Sequence, residues 1–401
     1  MGRLHHLRRQ SDRKRRNHQH QLQAVHREPA FNERPLLSQS ITPKNERHPG
    51  KRVVLSLGNE TAEGIPVSLQ IGDEGRLPEV AATGWLPVAT SLVTAYEKWQ
   101  RTYQQAFTNG AKSVYRISAP DVQITNVSYK EGLTICHQSE KVLTKRINQW
   151  LNSEPFRPVR ETLLAYCHPS ENIRLLLQTD DLQIQRLPLH QWDWFERYPR
   201  AELVLSSATY TQSVTATYER ASPLRVLAVL GDSRNLSIED DLAALKGIPN
   251  AMVTCLREPT RSLLTETLYD YPWDIVLFAG HSDCAPESKF RLSVKESLSL
   301  SELKYGLRKA IAQNLKLLIL NTCDSLSLIK TLGSDLQLPA TVVMRSPVPD
   351  PVAQTFLRYF LTALSQHQPL PQAVREAREK LQGIEHDFPF SSWIPVLYQT
   401  M

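Results

Sequence analysis

Five short aliphatic runs in the second half of the chain, at 224–230, 252–256, 274–280, 315–320 and 341–344, constrain its fold more than any other feature. Run 224–230 is apolar throughout except for Arg225, the pattern of a strand covered on both faces rather than one. Between the runs lie segments of helical period at 238–245, 260–269 and 301–313. Ser299-Leu300-Ser301-Glu302 reads as a capping box in front of the third. After the last run, Asp350 is expected as an N-cap with Pro351 at the first helical position. Val352, Phe356, Tyr359, Phe360 and Ala363 then form one apolar stripe. A final helix is expected over 371–382, closed by Gly383. Strands alternating with helices at this spacing predict an α/β fold whose mostly parallel sheet is covered on both sides.

The first half reads as a smaller α/β region. Strands are expected at 53–57, 67–71, 173–177 and 203–205, and helices at 90–107 and 141–151. The aromatic segment 187–195 reads as a packed connection. The expected organisation is a basic tail over 1–52, an α/β region over 53–220 and a second domain over 223–401.

Charge is unevenly distributed. The chain carries +6 overall, but residues 1–52 hold 13 Lys+Arg against 4 Asp+Glu, a net +9, leaving 34 against 37, or −3, for the rest. Nucleic-acid binding by the folded part therefore has no support, and any such contact is expected through the tail alone. The tail has six of the twelve histidines and almost no apolar periodicity, the composition of a disordered segment. No run of eighteen apolar residues and no apolar stretch behind the basic N-terminus exist, so a cytoplasmic protein with no membrane association is expected. The five cysteines, Cys136, Cys167, Cys255, Cys284 and Cys323, form no C-x-x-C pair. Neither disulfides nor a metal is signalled, and no cofactor is expected.

In open α/β sheets, chemistry collects at the carboxyl ends of strands. Three such tips are polar here: Gly231-Asp232-Ser233, His281-Ser282-Asp283-Cys284 and Asn321-Thr322-Cys323-Asp324-Ser325. If the strands ending at Gly280 and Asn321 are neighbours joined by a right-handed crossover, their tips lie about 5 to 10 Å apart. His281 could then face Cys323. A thiol before a helix is acidified by the dipole, and a nearby imidazole can activate it and protonate a leaving amine. Backbone N–H groups at such turns can bind an oxyanion. Cys284 is a rival thiol without a strand-to-helix setting.

The segments Phe278-Ala279-Gly280-His281-Ser282 and Leu320-Asn321-Thr322-Cys323-Asp324-Ser325-Leu326 closely resemble the two catalytic motifs of the CHAT domain, the caspase-like domain associated with the heterocyst protein HetF and with tetratricopeptide proteins. The likeness covers about 223–398, including Pro272-Trp273-Asp274 and the stretch from Met344 to Gln354. The region from about Val53, notably Thr179-Asp180-Asp181, looks like the N-terminal part of cyanobacterial members. The resemblance implies a caspase-like three-layer sandwich and a cysteine endopeptidase, with His281 as general acid/base and Cys323 as nucleophile. It also implies a protein or peptide substrate and, in the absence of a helical repeat in this chain, an activating protein partner in trans.

The chain departs from wider relatives at two positions. Ser282 stands where many have a Gly that supplies an oxyanion-hole amide, and Asn321 where others have an Asp that binds a basic substrate residue. Asp232, Arg345 and Asp350 lie where relatives build the substrate pocket. The alternative reading is a catalytically inactive CHAT module that serves as a protein-binding or signalling scaffold.

Overall fold

In the computed structural model, residues 50–108, 129–207, 223–232, 234, 238–283, 289–333 and 336–399 are described. The basic tail up to residue 49, together with Ser233 and Cys284, lies outside them.

The aliphatic runs form one parallel block. β6 (Leu224–Leu230) lies between β7 (Ala251–Arg257) and β8 (Ile275–Ala279). β8 pairs with β12 (Leu317–Asn321), and β12 with β13 (Ala340–Met344). Every position of β8 and β12 is buried, which is why neither shows polar alternation. After β13 the direction reverses. β14 (Pro395–Tyr398) runs antiparallel to β13 but parallel to β5 (Ala201–Ser206). β4 (Ile173–Gln178) and β1 (Lys51–Leu57) continue that direction, and β2 (Ile65–Asp73) with β3 (Val80–Leu86) closes the edge antiparallel. The order is β3-β2-β1-β4-β5-β14-β13-β12-β8-β6-β7. Among the described residues seven of its ten neighbour pairings are parallel. A small antiparallel sheet of β9 (Ser282–Asp283), β10 (Lys289–Arg291) and β11 (Ser297–Leu298) stands beside the tips of the parallel block.

Crossover handedness sets the layers. The step from β6 to β7 moves opposite to the steps β7–β8, β8–β12 and β12–β13, so right-handed connections put its helix on the other face. Accordingly α5 (Ile238–Lys246) packs with α9 (Asp350–Ser365), which also packs with α10 (Leu370–Lys380), whereas α6 (Arg261–Asp270) packs with α7 (Lys304–Ala312). The result is the expected three-layer sandwich around a mostly parallel sheet.

In the first half, α1 (Thr90–Thr108) lies along α2 (Tyr129–Leu151), followed by α3 (Arg157–Tyr166) and the short α4 (Leu182–Arg186). Trp99 of α1 is buried between Tyr103, at 5.4 Å between ring centres, and Trp393, at 5.1 Å. The connection 187–195 is packed as expected, with Leu187, Leu189, Trp192 and Trp194 buried.

Several element boundaries differ from the sequence reading. α2 starts twelve residues before 141, where polar residues hid the period. The capping box closes reciprocally between Ser299 and Glu302, but its first turn is 3₁₀. The N-cap of α9 is Pro349, in extended backbone, rather than Asp350, whose carboxylate instead accepts from Gln354 Nε2 at 2.7 Å.

Candidate active site

The tips of β6, β8, β12 and β13 meet at the carboxyl edge of the parallel block. β8 and β12 are direct neighbours, with Ala279 paired to Asn321. Two residues further along each strand stand His281 and Cys323, so equal offsets bring both to the same level of adjacent strands, which are spaced about 5 Å apart. The Ser282 hydroxyl donates to the Cys323 carbonyl at 2.7 Å and ties the two turns together inside the protein.

The β8 tip needs Gly280. Its φ of +144 favours glycine, and a Cβ there would come within 3.2 Å of the Asp232 carbonyl oxygen. This close approach lets the His281 amide donate to Asp232 O at 3.2 Å, while the Arg291 amide donates to His281 O at 3.0 Å. The imidazole is buried and its Nε2 meets the Arg234 carbonyl at 2.8 Å. A carbonyl only accepts, so Nε2 carries a proton, and a lone pair available for chemistry can stand only at Nδ1. Nδ1 is buried and has no hydrogen-bond partner among the described residues.

Asp232 builds the turn that supplies that carbonyl. Its carboxylate accepts from the Arg234 amide at 3.2 Å, from Arg234 Nε at 3.0 Å and from Arg234 Nη2 at 2.8 Å, an Asx-type turn closed by an ion pair. The hydrogen bond from Arg234 holds the buried Asp232 carboxyl below its usual range. Arg234 went unnoticed in the sequence, although Asp followed two residues later by Arg at a strand tip carries the signal.

Cys323 occupies the turn between β12 and α8 (Ser325–Gly333) and is fully buried. Its Sγ accepts from the Val348 amide at 3.3 Å and approaches Val348 O at 3.5 Å. Residue 324, next in the chain, has φ +46, a left-handed conformation uncommon for any residue but Gly, Asn or Asp. Its carboxylate takes Arg186 Nη2 at 2.6 Å and the Ser327 hydroxyl at 3.0 Å. Burial nevertheless pushes the Asp324 carboxyl up to about 6, against the pull of Arg186.

The other expected pocket residues are more inward. Asn321 is fully buried, its Nδ2 directed at Ala353 O at 3.5 Å. Arg345 is buried, donates from Nη1 to Leu187 O at 2.5 Å and is lowered by burial to about 10. Asp350 lies in the first turn of α9. The structure thus brings together Asp232, His281, Ser282 and Cys323, while Arg345 contacts the connection from the first half.

Removing the Ser282 hydroxyl leaves a buried carbonyl short of a donor. Ser282→Ala should therefore cost about 1 to 2 kcal/mol, read as a shift in chemical denaturation midpoint. An unchanged midpoint would mean that this bond contributes nothing to the joined turns.

A family model described as CHAT domain matches residues 145–394. The chain belongs to the CHAT domain family. This CHAT match begins within α2 and ends just before β14, so it takes in β4, β5 and the whole parallel block. CHAT is a caspase-like, peptidase-associated family, in keeping with the sandwich and with the pairing of β8 and β12. No curated protein matches the chain. Among the described residues no helix is long and apolar enough to cross a membrane.

Proposed function

We propose that this CHAT domain is a cysteine endopeptidase acting on a protein or peptide substrate, with Cys323 as nucleophile and His281 as base. The observation that carries the reading is the register that brings His281 level with Cys323 on adjacent strands, with Nδ1 the ring nitrogen that has no partner among the described residues. In the proposed cycle Nδ1 takes the thiol proton as sulfur attacks the peptide carbonyl carbon. The imidazolium returns that proton to the leaving amine, and a thioester remains. Water, deprotonated by Nδ1, then attacks the thioester, releasing the acid and the thiol. Arg234 O keeps the ring in the required tautomer throughout, stabilising its protonated form. Asp232 supports Arg234. The chemistry calls on no metal and no cofactor.

A second reading has its own observation. Cys323 is fully exposure-free and its sulfur is engaged by the Val348 main chain, a state suited to a non-catalytic protein-binding module. Under the first reading, residues 346–349 move aside when substrate or an activating protein partner binds.

A proteome-derived peptide library incubated with wild type and with Cys323→Ala separates the two. New peptide ends that appear with wild type and vanish with Cys323→Ala are expected. Identical products from both proteins would remove the peptidase and leave the binding module.

A further inference from the structure

We propose that Arg186 is a positioning residue for Cys323: its ion pair with Asp324 pins the left-handed turn that aims the nucleophile. The inference rests on the reading of Cys323 as nucleophile and extends it to a residue of the first half.

The turn at Asp324 redirects the chain from β12 into α8 within one residue, and Cys323 lies at the bend. A left-handed non-glycine persists only where its surroundings over-determine it. Here they do so through five contacts. Arg186 Nη2 reaches both Asp324 Oδ2 and Ser327 Oγ at 2.6 Å, and the Ser327 hydroxyl donates to the same Oδ2. The Ser327 amide donates to Asp324 O at 3.2 Å, and the Asp324 amide points to Ser346 O at 3.5 Å. Two of these partners, Ser327 and Ser346, belong to the second half itself. Only Arg186 comes from elsewhere, 138 residues upstream at the end of α4.

That difference gives Arg186 its role. The Asp324 side chain is 14% exposed, so without the guanidinium its charge would have little water to replace the lost partner. Its carboxyl, already raised by burial, would turn neutral, and the turn would lose the contact that fixes its side chain. Cys323, one residue away, would then leave its register with His281. A second contact reaches the same neighbourhood from α1, where the Tyr96 hydroxyl meets Ser346 Oγ at 2.9 Å beside the segment that covers the sulfur. The first half therefore grips both the nucleophile turn and its cover.

The test is the rate at which iodoacetamide alkylates Cys323 in the full chain, read from the mass of its peptide. Arg186→Ala should slow it at least about tenfold, and Arg186→Lys should return it to within about threefold of wild type, because a lysine charge can still reach the carboxylate. Asp324→Asn tolerates the same backbone conformation but lacks the charge, and should be as slow as Arg186→Ala. Arg174→Ala removes another ion pair of the first half, Arg174 Nη2 to Glu74 at 2.7 Å, and should label like wild type. Thermal melting of each variant identifies those that are folded, and Asp324→Asn decides if Arg186→Ala does not fold. Wild-type rates in Arg186→Ala or Asp324→Asn, an equal loss in Arg174→Ala, or no rescue by lysine would overturn the proposal. His281→Ala in the same series keeps the two ideas apart. A wild-type rate there removes the nucleophile reading itself, whereas a slow His281→Ala beside a fast Arg186→Ala removes only the pin.

Discussion

His281→Ala is expected to slow alkylation of Cys323 on the order of 100-fold at neutral pH, the scale on which a positioned base acts. The loss corresponds to roughly 2.7 kcal/mol. The argument is geometric. Nε2 is committed to Arg234 O, so the only ring nitrogen able to receive the thiol proton is Nδ1, on an imidazole level with Cys323 in the register of β8 and β12. Truncation removes that acceptor and leaves the sulfur's contacts with the Val348 main chain in place. Melting should change little by comparison, since the backbone bonds of residue 281 to Asp232 and Arg291 do not need the side chain. Equal alkylation rates for wild type and His281→Ala would show that the two residues do not form a working pair.

Gly231→Ala should be the most damaging conservative change at the site, costing about 3 kcal/mol or more. A Cβ at residue 231 would stand 2.1 Å from Arg291 O and 2.7 Å from the Phe290 ring. Neither neighbour can give way. Arg291 O accepts the Asp232 amide at 2.9 Å, and the buried Phe290 ring is wedged edge-on against Phe278 at 5.3 Å. The strand tip would have to move, taking Asp232 and the His281 amide bond with it. Chemical denaturation should show a lower midpoint with an unchanged slope, and Cys323 labelling should fall as well. A variant within 0.5 kcal/mol of wild type, taken as about the scatter of neutral surface changes, would contradict the close approach of the two tips.

Legibility in the sequence followed the range of the interactions. β6 was readable to the residue because a strand between two parallel neighbours must be apolar along its length. β3 was not. Its residues alternate between half-buried and exposed on an edge, and Thr83 and Gly84 break any run. β14 opens with Pro395, a residue that argues against a central strand; it pairs at the strand's first position, where the missing amide is tolerated. At the site, His281 and Cys323 were visible as polar residues ending aliphatic runs. Asp232 stands out as a pocket residue through the family likeness, but its hydrogen bonds to Arg234 depend on a turn two residues long that no hydrophobic period marks. Arg186 could not be found at all, because its partner lies 138 residues away and no local period encodes that meeting.

β14 is the bridge between two blocks of opposite direction, since β5 touches the parallel block only by way of residues 395–398. Strands β1 to β5 emerge from the ribosome long before their docking partner exists, and their open edge must wait for it. A cut at the exposed His386–Asp387 stretch, just upstream of β14, would loosen the seam between the two blocks. A single clip far from Cys323 in the chain could thus silence the site by releasing Arg186 from Asp324.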